Sequence, residues 1–111
     1  MAKTVHIPWY ATVFRADAFA EALQEIAPLA LRFGARDYAV YRSREDEYKF
    51  LQVCGFEEKL DWERYWNGPE FIEWRGRYGG WYQVPVLYTW QDVLATGRSE
   101  VAQAGEVAAG S

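Results

Sequence analysis

Apolar positions alternate through residues 4–14, TVHIPWYATVF, and show no helical period. Alternation puts Val5, Ile7, Trp9, Ala11 and Val13 on one face of a strand and His6, Pro8, Tyr10, Thr12 and Phe14 on the other. Both faces carry large apolar groups. Such a strand is expected to be covered on both sides, by helices, by a second sheet or by a partner subunit.

The period changes at residues 16–35, ADAFAEALQEIAPLALRFGA, where Phe19, Leu23, Ile26, Ala30 and Phe33 recur at helical spacing. Asp17 is the expected N-cap and Gly34 the C-terminal glycine, and Pro28, without an amide hydrogen, predicts a kink or break. Residues 36–57 read as two strands, with cores at Tyr38–Tyr41 and Tyr48–Phe56, around the charged turn SREDE. A second helical period fills KLDWERYWNGPEFIEWRGRYGG, residues 59–80, with Asp61 as the expected cap. It is interrupted at NGP, where Pro69 suits the first position of a new turn. After Gly79 and Gly80, WYQVPVLYTW predicts a last strand, demoted by Pro85 to an edge or bulged position.

The resulting order, β-α-β-β-α-β, predicts a ferredoxin-like α+β domain over residues 1–95: a four-stranded antiparallel sheet with both helices on one face. The other face is most simply covered by the same face of a second copy, which predicts a homodimer. Residues 96–111 are small, polar and rich in Ala and Gly. They are expected to form a disordered tail, with a short helix over Val101–Val107 as the alternative.

Composition narrows the function. A net charge of −4 argues against a protein that tracks phosphate backbones, so no nucleic-acid partner is expected. An RNA-recognition module shares the strand order, but its third strand carries a Gly-spaced basic aromatic motif where this chain reads YKFLQVCGF. The one cysteine, Cys54, has no disulfide partner and is expected to pack as a small hydrophobe, so a cytoplasmic location is the default expectation. The start, MAKTVHIPWYATVF, lacks the continuous apolar core of a signal peptide, and no stretch reaches the ~18 apolar residues of a membrane span. One His and one Cys give no metal-ligand spacing, so neither a metal nor another cofactor is expected.

The element order over residues 4–90, and most sharply FLQVCGFEEKLDWERYWNGPEFIEW, resembles the dimeric α/β-barrel superfamily that includes the antibiotic-biosynthesis monooxygenases and their haem-degrading relatives. In that family a third strand leads through an acidic or aromatic turn into a short helix with Trp or Tyr, then a small-residue and Pro break, as in YWNGPEF. The resemblance implies cofactor-free oxygenation of a flat phenolic compound held between sheet and helices, with Trp66 and Asn67 placed to orient it. Haem breakdown is not implied. Trp74 falls where the haem-degrading branch has its axial His, and Trp cannot ligate iron; the Asn of that branch's first strand falls near Pro8.

These lines give a candidate site. Trp66, Trp74 and Trp9 would stack on a flat substrate, Arg75 would hold an anionic group, and Asn67 would orient the substrate. His6 or Tyr10 would transfer the proton, His6 being the one side chain whose ordinary pKa suits that task near neutrality. Each also has a structural reading: Asn67 as turn chemistry before Gly68 and Pro69, Arg75 as a helix C-terminal cap, His6 as a packed strand residue. The competing class is a non-catalytic dimeric interaction module in which the aromatics are core, seam and partner surface.

Overall fold

The first strand, β1 (Lys3–Tyr10), buries Val5, Ile7 and Trp9 and turns His6, Pro8 and Tyr10 to the opposite face, as its alternation dictates. The structure, a computed structural model, describes residues 2–99 of the 111. β1 ends sooner than its pattern predicts. Ala11 makes one bridge to Tyr82, and the chain then turns, with the Arg15 amide donating to the Thr12 carbonyl at 3.0 Å. Val13 and Phe14 therefore sit in a turn rather than on strand faces. Phe14 has φ of 68° and is 93% exposed.

Helix α1 (Ala16–Ile26) buries Phe19, Ala22, Leu23 and Ile26, and at Ala27–Phe33 the chain tightens into a 3₁₀ segment. Pro28 stands in the first turn of that segment, where its missing amide hydrogen costs nothing. Gly34 ends it at φ of 101°. Asp17 is not the cap: Arg15 occupies that position without a side-chain bond, and the Asp17 carboxylate instead accepts from Arg42 at 2.9 Å.

Strands β2 (Asp37–Arg42) and β3 (Lys49–Phe56) form the expected hairpin. Helices α2 (Lys59–Trp66) and α3 (Pro69–Arg77) are separated by the predicted break, with Pro69 opening α3. Glu58, not Asp61, precedes α2, because the helix begins three residues earlier than its aromatic period suggests. The last strand is a second correction. β4 is Thr89–Asp92, and Trp81–Tyr88 is irregular apart from the Tyr82 bridge, since Pro85 cannot donate to a ladder.

The four strands run antiparallel in the order β2-β3-β1-β4, the ferredoxin-like arrangement, with β4 on an edge. Register pairs Val5 with Cys54, Ile7 with Gln52 and Trp9 with Phe50, so these six share the face that receives the helices. Phe19, Leu23, Trp62, Tyr65, Phe71 and Trp74 cover them, each removed almost entirely from water. At ~1.5–3 kcal/mol per fully buried large apolar side chain, this one layer supplies most of the folding drive. The opposite face carries Pro8, Ala39, Tyr41, Leu51 and Val53. Residues 96–99 are irregular and exposed; the expectation of a tail helix over Val101–Val107 lies outside the described residues.

Candidate functional site

Trp62 and Trp66 are one helical turn apart on α2, so both face the start of α3, which the break at Gly68 turns back toward them. A Cβ at Gly68 would lie 2.5 Å from the Arg64 carbonyl oxygen, so a residue without one is what permits this close reversal. Trp66 then collects neighbours from three elements. Its ring lies 5.4 Å from Trp62, 4.9 Å from Phe71, 6.1 Å from Trp9 and 5.6 Å from Tyr88 between centroids.

Arg75, from the last turn of α3, lies over this cluster. Its guanidinium carbon is 4.0 Å from the centroid of Trp66 and 4.9 Å from that of Phe71, a cation held against two π faces. Nη1 donates to the Trp66 carbonyl at 2.8 Å. Among the described residues no carboxylate pairs with it. Burial pushes its pKa down from the ordinary value, opposed by the nearby Tyr82 phenol, whose own pKa burial pushes up. Tyr82 donates to the Arg75 carbonyl at 3.2 Å. Within the ring cluster one buried donor lacks a partner: Trp62 Nε1 has no acceptor. Arg75, a half-buried cation without a counter-ion against the Trp66 ring, makes a place that favours an anionic ligand.

The structure brings Trp66 and Arg75 together as expected and separates most of the rest. Trp74 is a core residue: it is buried, and its Nε1 donates to the Ala22 carbonyl at 2.9 Å. Trp9 is also buried and donates through Nε1 to Gln52 Oε1 at 3.1 Å, so it forms the floor under Trp66 rather than a stacking surface. Asn67 is the exposed C-cap of α2, its amide donating to the Glu63 carbonyl at 2.8 Å. It lines a surface groove of about 480 Å³ with Phe33, Leu60 and Arg64, outside the ring cluster.

His6 and Tyr10 are on the far face of the sheet from Arg75. His6 is half-buried opposite Val53 and Thr89. The Tyr10 hydroxyl donates to Asp46 Oδ2 at 2.7 Å, and that hydrogen bond raises its pKa, which keeps the phenol protonated. The sheet therefore separates both proton-transfer candidates from the cation.

Sequence reasoning missed Gln52 and the free donor of Trp62. Gln52 is fully buried and sits between the Trp9 indole and the Tyr65 hydroxyl, which in turn donates to the Ile26 carbonyl at 2.7 Å. The signal was available: Gln52 is the one polar residue on the inward side of β3. Elsewhere, among the described residues, no three His, Cys, Asp or Glu side chains group to hold a metal ion, and no helix is long and apolar enough to cross a membrane.

No protein family and no curated protein is matched by the sequence. Solved structures are matched by the fold. PA3566 from Pseudomonas aeruginosa aligns with a TM-score of 0.75 at 19% identity, over 85% of this chain and 95% of that one. A candidate antibiotic biosynthesis monooxygenase from Nitrosomonas europaea aligns with a TM-score of 0.75 at 16% identity, over 86% and 94%. SnoaB, a cofactor-independent oxygenase from Streptomyces nogalater, aligns with a TM-score of 0.73 at 11% identity, over 86% and 95%. The chain thus has the ferredoxin-like fold of the proteins that resemble antibiotic-biosynthesis monooxygenases.

Proposed function

We propose that this protein binds a flat, anionic aromatic or phenolic small molecule beside Trp66 and Arg75, and that its chemistry is cofactor-independent oxygenation or isomerisation of that molecule. The observation that supports this reading is the Arg75 guanidinium, 4.0 Å over Trp66, half-buried and without a carboxylate partner. A phenolate or enolate against Trp66 would gain the half-buried Arg75 cation, where a fixed positive charge stabilises developing negative charge more than it would in water. In an oxygenation of this kind, a CH₂ group flanked by phenolic rings and O₂ give a C=O group and water, which balances without an external reductant. With His6 and Tyr10 across the sheet, the substrate enters as its anion, so turnover follows the substrate's ionisation. A second copy is proposed to cover Pro8, Ala39, Tyr41, Leu51 and Val53 on the outer sheet face.

The test is calorimetric titration of the full chain with flat phenols above and below their own pKa, alongside the mass in solution. Saturable binding of the anionic form at dimer mass, lost in Arg75→Met with the dimer intact, is the expected result. Equal binding of neutral and anionic forms, or none of either, refutes the reading.

One observation favours a non-catalytic interaction module instead. Trp9, Phe71 and Trp74 contact one another at 5.4–6.3 Å and occupy the layer between sheet and helices where the substrate was expected. Trp66→Ala separates the readings: loss of ligand with the dimer intact belongs to the binding site, whereas loss of the dimer or of folding belongs to the module.

A further inference from the structure

Tyr88 is the neighbour of Trp66 that the sheet does not hold in place. It ends a strap, Val84–Tyr88, suspended between two fixed points: the Gln83 amide, which donates to the Tyr10 carbonyl at 2.8 Å, and Thr89, which pairs with His6 in β4. Between them Val84–Leu87 makes no hydrogen bond to the described residues, and Val84 and Leu87 are 74% and 68% exposed. The Tyr88 ring nevertheless turns inward, edge-on to Trp62 at 4.9 Å and tilted against Trp66 at 5.6 Å. Its hydroxyl has no hydrogen-bond partner among the described residues, and the Nε1 of the neighbouring Trp62 ring has no acceptor. A side chain kept there for a hydrogen bond would use one of these two groups. Tyr88 offers the cluster a ring and nothing else.

Resting on the reading of this site given above, we infer that Tyr88 is a built-in plug: its phenol occupies the place of the ligand ring, and an anionic aromatic ligand binds by displacing it. Three physical points agree. The plug is itself a phenol ring, so the space it vacates accepts a flat ring of that class. An oxyanion on the incoming ring can accept from Trp62 Nε1, which Tyr88 leaves without an acceptor, so the exchange favours the ligand. With Val86 packed against the core and Thr89 paired in β4, the Tyr88 side chain swings out between them without breaking a ladder.

Displacement lowers apparent affinity by the fraction of time the site is open. Two edge-on or tilted aromatic contacts on a partly exposed ring set that factor at about ten-fold. The probe is 1-hydroxy-2-naphthoate, flat and anionic near neutrality, titrated calorimetrically into the full-length protein and its variants. Tyr88→Ala is expected to bind it about ten-fold more tightly than wild type. Tyr88→Phe is expected to match wild type, because the ring and not the hydroxyl is the plug. Without ligand, iodide should quench more of the tryptophan emission in Tyr88→Ala. Tyr88→Leu, which keeps an apolar side chain beside Trp62, should give the same gain in affinity and stands in should the alanine variant not fold. Equal affinity of wild type and both ring-less variants overturns the plug while leaving the site. Weaker binding by the variants makes Tyr88 a wall of the site and also overturns it. Absence of binding in every protein removes the site itself, and the plug with it.

Discussion

Replacing Gln52 by Leu tests how the floor of the candidate site is held. Gln52 is fully buried, accepts from Trp9 Nε1 at 3.1 Å and donates to the Tyr65 hydroxyl at 3.1 Å, with a weak contact to Cys54 Sγ at 3.8 Å. Leucine is close in size, so no large cavity opens. The substitution strands the Trp9 indole N–H in the core, at a cost of ~1–3 kcal/mol, and deletes a bond to Tyr65 worth ~0.5–1.5 kcal/mol net. Tyr65 keeps its bond to the Ile26 carbonyl at 2.7 Å, so its hydroxyl is not orphaned. Burying leucine in place of an amide returns part of this, leaving a loss of about 2 kcal/mol, or roughly 8–16 °C in Tm for a domain of this size. Urea denaturation followed by circular dichroism measures it. Tyr65→Phe provides the coupling: the double variant should cost less than the sum of the singles, since the two residues share one network. A change in Gln52→Leu under about 0.5 kcal/mol, or strict additivity with Tyr65→Phe, would refute the claim that this network carries energy.

Other consequences are open to simpler measurements. Gly68→Ala should destabilise the fold by ~1–3 kcal/mol, because the new Cβ meets a backbone carbonyl that cannot move aside; a stable variant in thermal melts would contradict the close reversal between α2 and α3. Gly55→Ala should cost less than Gly68→Ala, since its Cβ meets only the movable ends of the Arg36 and Asp37 side chains, the former bridged to Glu57 at 3.0 Å; equal losses in urea melts would contradict this contrast. Burial pushes the Cys54 thiol up to about 12 from an ordinary value of 9.0. The unfolded chain therefore loses this proton first, and the stability it contributes is complete below pH 9 and lost as pH rises toward 12. In urea melts across that window Cys54→Ala should show a flatter decline than wild type, flatter rather than flat because burial also raises the Tyr65 pKa. Tyr10→Phe removes one exposed hydrogen bond to Asp46 and should leave thermal stability nearly unchanged; any loss of ligand affinity in this variant would contradict its placement on the far face of the sheet.

The sequence by itself determined the element order and the faces. Alternation in β1 put Val5, Ile7 and Trp9 on one face because side-chain direction in a strand depends only on parity, and packing decided that this face meets the helices. Pro28, Gly34 and Pro69 marked the breaks because a missing amide hydrogen or a missing Cβ acts locally, whatever the rest of the chain does. Caps were less legible: Asp17 and Asp61 have the right chemistry, but helix starts were moved by packing, and Asp17 found Arg42 from another strand. The last strand was misplaced for the same reason, as pairing with Lys3–His6 and not propensity decided where β4 begins. The site divided along this line. Trp66 and Arg75, read as a stacking ring and a cation, lie against each other, whereas His6 and Tyr10, read as proton-transfer groups, lie on the other face of the sheet. Whether a Trp is open to a ligand, as proposed for Trp66, or fills a core, as at Trp74, depends on what lies on its other side. Only the tertiary structure sets that, because partners distant in sequence supply the burial, the free donors and the missing counter-charge.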